Sequence, residues 1–440
     1  MAKHYYIETM GCQMNEYDSD RLSRMLEDSG YQRVGDPEKA DFVLLNTCSV
    51  RAKAEQKALS RLGRLATLKK KNPRVLLAVA GCVAQQRGMD LLERFAGLDL
   101  VLGPREIGNF RVILEKVKEG GTRVAAIDAR GKPVSFFGGF EYFKHTVKAF
   151  ITIMEGCNNF CSYCIVPYVR GRETSRPPQE LLDEAKNLVL QGVTEITLLG
   201  QNVNSYAYGN TRFSGLLKSM NELEGLQRIR FTTSHPKDLS PELIQSFARL
   251  EKLCPHIHLP FQAGSNRVLK AMKRGYTREK YMELIDALRN ARPGIAVTSD
   301  VMVGFPGETE EDFELTMDLI RKIQFDNLFS FKYSDREGTP AAKMGGKIPE
   351  AQKLARLERL QELQRKITLK KNRELIGRSL EVLVEGASKK GQGLTGRTAT
   401  NKVVNFINDK RHISKLINVT IKRASFNSLW GELTSAEIDV

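Results

Sequence analysis

The chain has 440 residues, 68 of them basic and 52 acidic, for a formal net charge of +16. Its mean hydropathy of −0.34, with no run of eighteen or more apolar residues, excludes a transmembrane helix, and no membrane association is expected. The length gives a prior of two to four domains. The opening M-A-K-H-Y-Y-I-E-T-M lacks an apolar signal core, so the cytoplasm is the expected location. There the seven cysteines point to metal ligation rather than disulfides. The positive charge admits RNA or DNA as a partner but does not select one.

The first segment alternates strand-like and helix-like stretches. HYYIETM (4–10) reads as a strand that ends at Gly11-Cys12, followed by a helical stretch with Leu22, Met25 and Leu26 on one face. DFVLLN (41–46) reads as a buried strand ending at Thr47-Cys48, and RVLLAVA (74–80) as a third ending at Gly81-Cys82. Further strands are expected at LDLVL from Leu98 and TRVAAI from Thr122. This alternation predicts an open parallel α/β sheet with covering helices. The carboxyl ends of such strands share one edge, where ligands bind. Cys12, Cys48 and Cys82 should therefore meet and offer three thiolates to an iron–sulfur cluster, with one iron left open. Three separately buried structural cysteines are the alternative.

GKPVSFFGG (131–139) reads as a connector and a domain boundary. The apolar run VKAFITIM (147–154) then predicts a buried strand. It leads into EGCNNFCSYCI (155–165), which sets Cys157, Cys161 and Cys164 at the spacing CxxxCxxC. Three thiolates on one tight loop can hold three irons of a [4Fe–4S] cubane, and no fourth cysteine lies nearby. A structural zinc site or a disulfide pair is the alternative, though nothing completes a four-ligand zinc set. This motif, with Tyr163 in the aromatic slot, resembles the signature of radical S-adenosylmethionine enzymes. The resemblance implies that the methionyl group of S-adenosylmethionine chelates the open iron and that electron transfer cleaves the sulfonium to a 5′-deoxyadenosyl radical.

Five more strands are expected after that first one: EITLL from Glu195, RIRFTT from Arg228, HIHLP from His256, AVTSDVMV from Ala296 and NLFSFKY from Asn327. Six βα units predict a partial (β/α)6 barrel with its site at the carboxyl ends of the strands. By the same resemblance, those ends bind the cofactor, and Tyr163, Gln201, Ser234, Gln262, Asp300 and Gly304 are the expected lining residues. Thr309 and Asp312 read as a helix capping box. His256 and His258 share one strand face; for these and His235 a hydrogen-bonded structural role competes with a catalytic one. Cys254 reads as a buried spectator. Arg170, Arg172 and Arg176 crowd after the cluster motif, either on a solvated loop or touching a substrate phosphate or cofactor carboxylate.

Pro349 opens a long helical stretch with Leu354, Leu357, Leu360, Leu363 and Ile367 at helical spacing and Gly377 as its stop. LEVLVE from Leu380, TGRTAT from Thr395, KVVNF from Lys402, INVTIK from Ile417 and LWGEL from Leu429 then predict a small closed β-barrel of the OB type. Residues 371–440 carry 12 basic and 7 acidic side chains, and Phe406, Phe426 and Trp430 offer aromatic surface for bases or for the barrel core. The segment resembles a TRAM domain, an RNA-binding module, most clearly in GRTATNK (396–402), where Ala399 stands in place of the basic or polar residue expected.

Taken together, MGCQMNEYDSD (10–20), NTCSVR (46–51), AGCVAQ (80–85), the cluster motif and GRTATNK resemble the methylthiotransferases over the whole chain. The resemblance implies an N-terminal cluster-binding domain at 1–130, a radical S-adenosylmethionine core at 131–376 and a TRAM domain at 377–440. It implies two [4Fe–4S] clusters, with Cys12, Cys48, Cys82, Cys157, Cys161 and Cys164 as ligands and catalytic centre. S-adenosylmethionine would serve as both methyl donor and radical source. The substrate implied is N6-isopentenyl(dimethylallyl)adenosine beside the anticodon, converted to its 2-methylthio form. The implied partners are a tRNA anticodon stem-loop and an external low-potential electron donor of the flavodoxin type, with the enzyme a monomer. Sister activities on threonylcarbamoyladenosine in tRNA or on a ribosomal-protein aspartate are the nearest alternatives. An iron–sulfur RNA-binding regulator without turnover is the alternative of a different class.

Overall fold

Continuous apolar runs such as Phe42–Thr47 and Leu76–Gly81 form strands because helices cover both faces of their sheet. The computed structural model describes residues 3–49, 52–128, 147–388, 393–407 and 410–434. The connector expected at 131–139 lies outside them. Strands β1 (Lys3–Met10), β2 (Tyr31–Arg33), β3 (Phe42–Thr47), β4 (Leu76–Gly81), β5 (Leu100–Leu102) and β6 (Val124–Ala126) form one parallel sheet in the order β2-β1-β3-β4-β5-β6. The two-residue period sends Leu44 and Ala78 into a core with Leu22, Leu26 and Phe110, and Val43 and Val79 into a second core with Leu62 and Leu65. The edge strand β2 was not expected; only Tyr31 of its three residues is buried, so it carries no apolar run. The strand order reverses between β1 and β3, and Cys12 and Cys48 follow those two strands.

The chain divides into two compact units, described separately below. Strand β7 (Lys148–Thr152) belongs to the second unit. Met154–Arg176 and Ser334–Ala342 belong to the first, together with the N-terminal sheet. Within that first unit, β8 (Met154–Glu155) pairs antiparallel with β9 (Thr174–Ser175), so the three-cysteine loop is closed at its base by a short ladder.

In the second unit, β7, β10 (Glu195–Leu199) and β13 (Arg228–Phe231) form one parallel sheet, with the small hairpin β11 (Ala207–Tyr208) and β12 (Thr211–Arg212) inserted between the last two. Strands β14 (His256–His258), β15 (Ala296–Val303) and β16 (Asn327–Lys332) form another. The parallel bridge between Ile229 and Leu253 joins them, with the Ile229 N–H donating to Lys252 O at 2.7 Å. All six barrel strands expected from the sequence are present. The capping box at Thr309 and Asp312 also forms.

The expected helix spans Glu350–Arg373, with Leu360 and Ile367 buried, Leu357 and Leu363 half-buried and Leu354 44% exposed; polar Arg356, Gln364, Thr368 and Asn372 are buried beside the apolar positions. Those polar side chains satisfy carbonyls. Gln364 donates to Phe325 O at 2.9 Å, Thr368 to Asp326 O at 3.0 Å and Asn372 to Ser425 O at 2.9 Å. The last strands, β17 (Ser379–Ala387), β18 (Leu394–Thr398), β19 (Val403–Phe406), β20 (Leu416–Ala424) and β21 (Leu429–Leu433), close into a barrel in the order β17-β18-β19-β21-β20. Val382, Val384, Val404, Phe406, Val419 and Ile421 fill it.

Candidate functional site

The first unit gathers Cys12, Cys48 and Cys82 by stitching three strand ends together. Asn15, in the first turn of helix Gln13–Glu27, donates from Nδ2 to Asn46 Oδ1 at 3.0 Å and to Thr47 O at 3.1 Å. Asn46 Nδ2 returns a bond to Asn15 O at 2.9 Å and another to Ser19 Oγ at 2.9 Å. Thr47 Oγ1 donates to Ala80 O at 2.6 Å, and the Cys48 N–H to Met10 O at 3.1 Å. Gly81 has φ +92°, and a Cβ there would strike Thr47 O and Asn46 Oδ1, so only glycine lets β4 end this close to β3. Cys12 remains exposed, while Cys48 and Cys82 are buried.

These thiols are not equivalent. A hydrogen bond with Cys48 lowers the Cys12 thiol to about 6, against the effect of burial and with help from the Arg170 charge. Burial raises Cys82, opposed by Arg170. Arg170 itself is 3% exposed and its Nη2 binds Asp18 Oδ2 at 2.9 Å. Burial disfavours its charge, but Cys82, Asp18, Glu155 and Cys12 outweigh that and hold it firmly cationic. Arg170 is thus neither on a solvated loop nor free for a substrate phosphate. Arg172 is exposed over the Phe160 ring at 5.5 Å, and Arg176 reaches the Tyr17 hydroxyl at 3.3 Å.

The second cysteine set is local. Cys157 and Cys161 are buried and Cys164 half-buried, and burial pushes the Cys157 thiol up to about 11. Gly156 (φ +80°) and Gly171 (φ +73°) cross closely at the base of the loop, where the Cys157 N–H donates to Gly171 O at 3.0 Å. A Cβ on Gly156 would collide with Arg172 O and Gly171 O. Within the same unit, Arg105 binds Arg170 O at 2.8 Å and Arg172 O at 2.7 Å, clasping the same turn. All seven cysteines are free thiols. Among the described residues no three His, Cys, Asp or Glu side chains close around a single ion. A cubane is held by more widely spaced sulfurs than one ion is, and two sets of three soft donors in glycine-shaped loops suit it.

In the second unit the strand ends carry the other expected residues; Tyr163 lies in the first unit with its loop. Gln201 follows β10, where the Val203 N–H donates to Thr233 O at 3.0 Å. Ser234 and His235 follow β13, and Asn204 bonds both the N–H and the carbonyl of His235, at 2.9 and 2.8 Å. Gln262 takes φ +65° and its N–H binds Asp300 O at 2.9 Å. His258 Nε2 sits 3.5 Å from Asp300 Oδ2, and Gly304 donates its N–H to Glu308. Three buried polar atoms at these ends have no protein partner among the described residues: Asn202 Oδ1, Ser234 Oγ and His235 Nε2. His235 Nδ1 accepts from the Lys237 N–H at 3.2 Å, and burial lowers the ring to about 2, so the proton sits on Nε2. His256 and His258 both bond Thr298 Oγ1 at 3.1 Å, a structural arrangement, and Cys254 is buried as expected.

The C-terminal barrel turns its most telling stretch inward. Arg230 donates to Thr398 O at 2.8 Å and Ala399 O at 2.9 Å, Arg228 to Arg397 O at 2.8 Å, and Lys402 pairs with Asp326 at 3.2 Å. The backbone of residues 397–399 and the Lys402 side chain therefore dock on the half-barrel, while Thr400 and Asn401 stay half-exposed. Phe406 is core, whereas Trp430 lies half-buried with the exposed Arg423 stacked 4.4 Å above it.

Sequence reasoning missed Asp18, Glu155, Arg105, Asn15, Asn202 and the part of His235. Asp18 did leave a signal. It falls three residues after Asn15 and four before Leu22, on the buried face of an amphipathic helix, where an acid needs a partner. Arg105 left none, since its targets are carbonyls 65 and 67 residues away.

A family model described as the Radical SAM superfamily matches residues 151–320, one described as Uncharacterized protein family UPF0004 matches 4–103, and the TRAM domain matches 373–434. A protein of Syntrophus aciditrophicus named tRNA-2-methylthio-N(6)-dimethylallyladenosine synthase is 49% identical over 99% of this chain and 95% of its own. A Geobacter sulfurreducens protein of the same name is 49% identical over 99% of both chains. Among solved structures, the radical S-adenosylmethionine methyltransferase TsrM from Kitasatospora setae, with cobalamin and a [4Fe-4S] cluster bound, is similar at TM-score 0.58 and 16% identity. That match covers 78% of this chain and 77% of TsrM, a likeness of fold. The identity with the two synthases is 49% over 99% of this chain, so the chain belongs to the family of tRNA-2-methylthio-N(6)-dimethylallyladenosine synthases.

Proposed function

We propose that the protein methylthiolates C2 of N6-isopentenyladenosine beside the anticodon of tRNA, using two [4Fe–4S] clusters and S-adenosylmethionine. The observation that carries this reading is the convergence of Cys12, Cys48 and Cys82 on hydrogen-bonded strand ends, in the same unit as the CxxxCxxC loop. When bound, the clusters and S-adenosylmethionine supply a methylated sulfur and the reductive radical chemistry that an unactivated C–H bond requires.

The chain's own residues bind, orient and hold protons. Cys157, Cys161 and Cys164 hold one cluster; because burial keeps Cys157 neutral up to about 11, ligation must expel its proton. Cys12, Cys48 and Cys82 hold the other, and Cys12 is already a thiolate near neutrality. Ser234 and His235, with Asn202, offer unmet hydrogen bonds to polar groups of S-adenosylmethionine, and Gln201, Gln262, Asp300 and Gly304 are assigned to the same ligand; Tyr163 is assigned to the cofactor from its place in the cluster loop. RNA phosphates meet the exposed Lys415, Lys422 and Arg423, with Trp430 as a stacking surface. An external low-potential donor of the flavodoxin type supplies electrons to a monomer. The protein tested after anaerobic reconstitution should form the 2-methylthio nucleoside on tRNA bearing isopentenyladenosine. Mass spectrometry that finds the product only on threonylcarbamoyladenosine, or only on a ribosomal protein, would replace this substrate with a sister one.

A further inference from the structure

We propose that Arg170 sets the reduction potential of the cluster held by Cys12, Cys48 and Cys82, by placing a buried guanidinium against Cys82; this rests on the cluster assignment above. Arg170 is 3% exposed and its only carboxylate within ion-pair distance among the described residues is Asp18, itself fully buried, at 2.9 Å. That ion pair and a hydrogen bond with the Cys82 thiol do not use the whole guanidinium. Nη1 of Arg170 and Oδ1 of Asp18 are both buried without a partner among the described residues. A buried donor left unmet is costly, more so when charged, so such an atom in a well-packed site is placed for an acceptor the protein does not supply. The sulfur atoms of a cluster at Cys82 are such acceptors.

The surroundings amplify the charge. Cys82 packs with Ile165 and Val169 in a small apolar cluster, so the interaction is poorly screened. Glu155, buried and raised by burial against the pull of Arg170, faces the same guanidinium. A fixed positive charge and hydrogen bonds to sulfur both favour the cluster's reduced state, two of the levers that spread iron–sulfur potentials over a wide range. A counter-ion role for Asp18 alone would account for the ion pair but not for the unmet Nη1. The position is also held from outside: Arg105 fixes the carbonyls of Arg170 and Arg172, and Gly171 between them accepts the Cys157 N–H. One turn thus carries the Arg170 side chain into the first cysteine set and the Gly171 carbonyl onto the second.

The test uses the full chain with Cys157, Cys161 and Cys164 replaced by Ala, so that one cluster remains. After anaerobic reconstitution it is titrated with dithionite, one electron per cluster, and followed by electron paramagnetic resonance. Absence of iron from this parent, with Arg170 intact, would sink the cluster assignment rather than the role of Arg170. With iron present, Arg170→Gln should lower the reduced-to-oxidised ratio at fixed potential about tenfold, equivalent to about 59 mV for one electron. Asp18→Asn removes the opposing charge and should raise the ratio, while Arg170→Lys should fall between the parent and Arg170→Gln. An unchanged ratio in an iron-loaded Arg170→Gln chain, or shifts of the same sign in Arg170→Gln and Asp18→Asn, would overturn the proposal. Should Arg170→Gln fail to retain iron, Asp18→Asn decides alone: a fall or no change overturns the proposal.

Discussion

The two cysteine sets solve one problem by opposite means. Cys157, Cys161 and Cys164 stand on eight consecutive residues, closed by a two-residue ladder and a glycine crossing. Cys12, Cys48 and Cys82 come from three strand ends and meet only because Asn15, Asn46 and Thr47 lock those ends together. The local set needs little of the fold to form; the dispersed set needs the whole sheet. The electrostatics differ as well. The local set buries its first thiol and holds it neutral to about 11, whereas the dispersed set keeps Cys12 exposed and ionised from about 6. The contrast rests on Cys12 alone, since Cys48 and Cys82 are as buried as Cys157 and Cys161, and burial raises Cys82 as it raises Cys157.

Removing one set at a time breaks the comparison most severely. Cys157→Ala should abolish reductive cleavage of S-adenosylmethionine and lower iron by about four atoms per chain, leaving the other cubane. Replacing Cys12, Cys48 and Cys82 together with Ala should remove the complementary iron, preserve 5′-deoxyadenosine formation and yield no methylthio nucleoside. Both products can be measured in one anaerobic reaction. Methylthio product from the triple variant would mean that sulfur reaches the base without the dispersed site.

A smaller perturbation tests how each site is shaped. Gly156→Ala forces a side chain into φ +80° against two carbonyls, at a cost of about 1–3 kcal/mol for the backbone alone. It should empty the local site and spare the dispersed one. Gly81→Ala should do the reverse, since its Cβ meets Thr47 O and Asn46 Oδ1. Iron counts and the separate paramagnetic signals distinguish the two; loss of both clusters from either variant would show that the sites do not form independently. Asn15→Ala is milder. It leaves Asn46 Oδ1 and Thr47 O short of a donor, about 1–3 kcal/mol, and should speed iron loss to a chelator from the dispersed site alone.

The same contrast explains what could be read from the sequence. The CxxxCxxC motif is legible because its chemistry is contiguous. The dispersed triad is legible because each cysteine ends an apolar run, and parallel strands align such ends. The partners of the cysteines are less visible. Arg170 looks like one more cation in VRGRETSRP, and only the fold brings Asp18, 152 residues earlier, to its guanidinium. Leu354 matched helical spacing yet faces solvent, while Gln364 and Thr368, on the same face as Leu360 and Ile367, are buried because the barrel presents the carbonyls of Phe325 and Asp326 there. GRTATNK marks its domain correctly, but its carbonyls are taken by Arg228 and Arg230, a pairing across 169 residues that no local pattern carries.

The last expectation has the least effect on the loaded enzyme and bears most directly on the electrostatic half of the comparison. In the iron-free chain Cys12, lowered from about 9 to about 6, should be mostly thiolate at pH 7, while Cys157, raised to about 11, should be about one part in ten thousand. The lower-pKa thiolate is the weaker nucleophile, with a Brønsted coefficient of about 0.4–0.5, so the net ratio of alkylation rates should be about fiftyfold in favour of Cys12, and burial of Cys157 widens it. The sign for stability follows from the same shifts. A depressed Cys12 stabilises the folded iron-free site above the unfolded thiol's pKa of about 9, and that contribution is lost as the pH falls through about 6. Cys157 acts oppositely, costing stability as the pH rises from about 9 towards 11. Residue-resolved iodoacetamide labelling between pH 5 and 10 reads both. A Cys12 rate that rises only above pH 8, or equal rates at the two cysteines at pH 7, would remove the electrostatic distinction and leave the sites differing in connectivity alone.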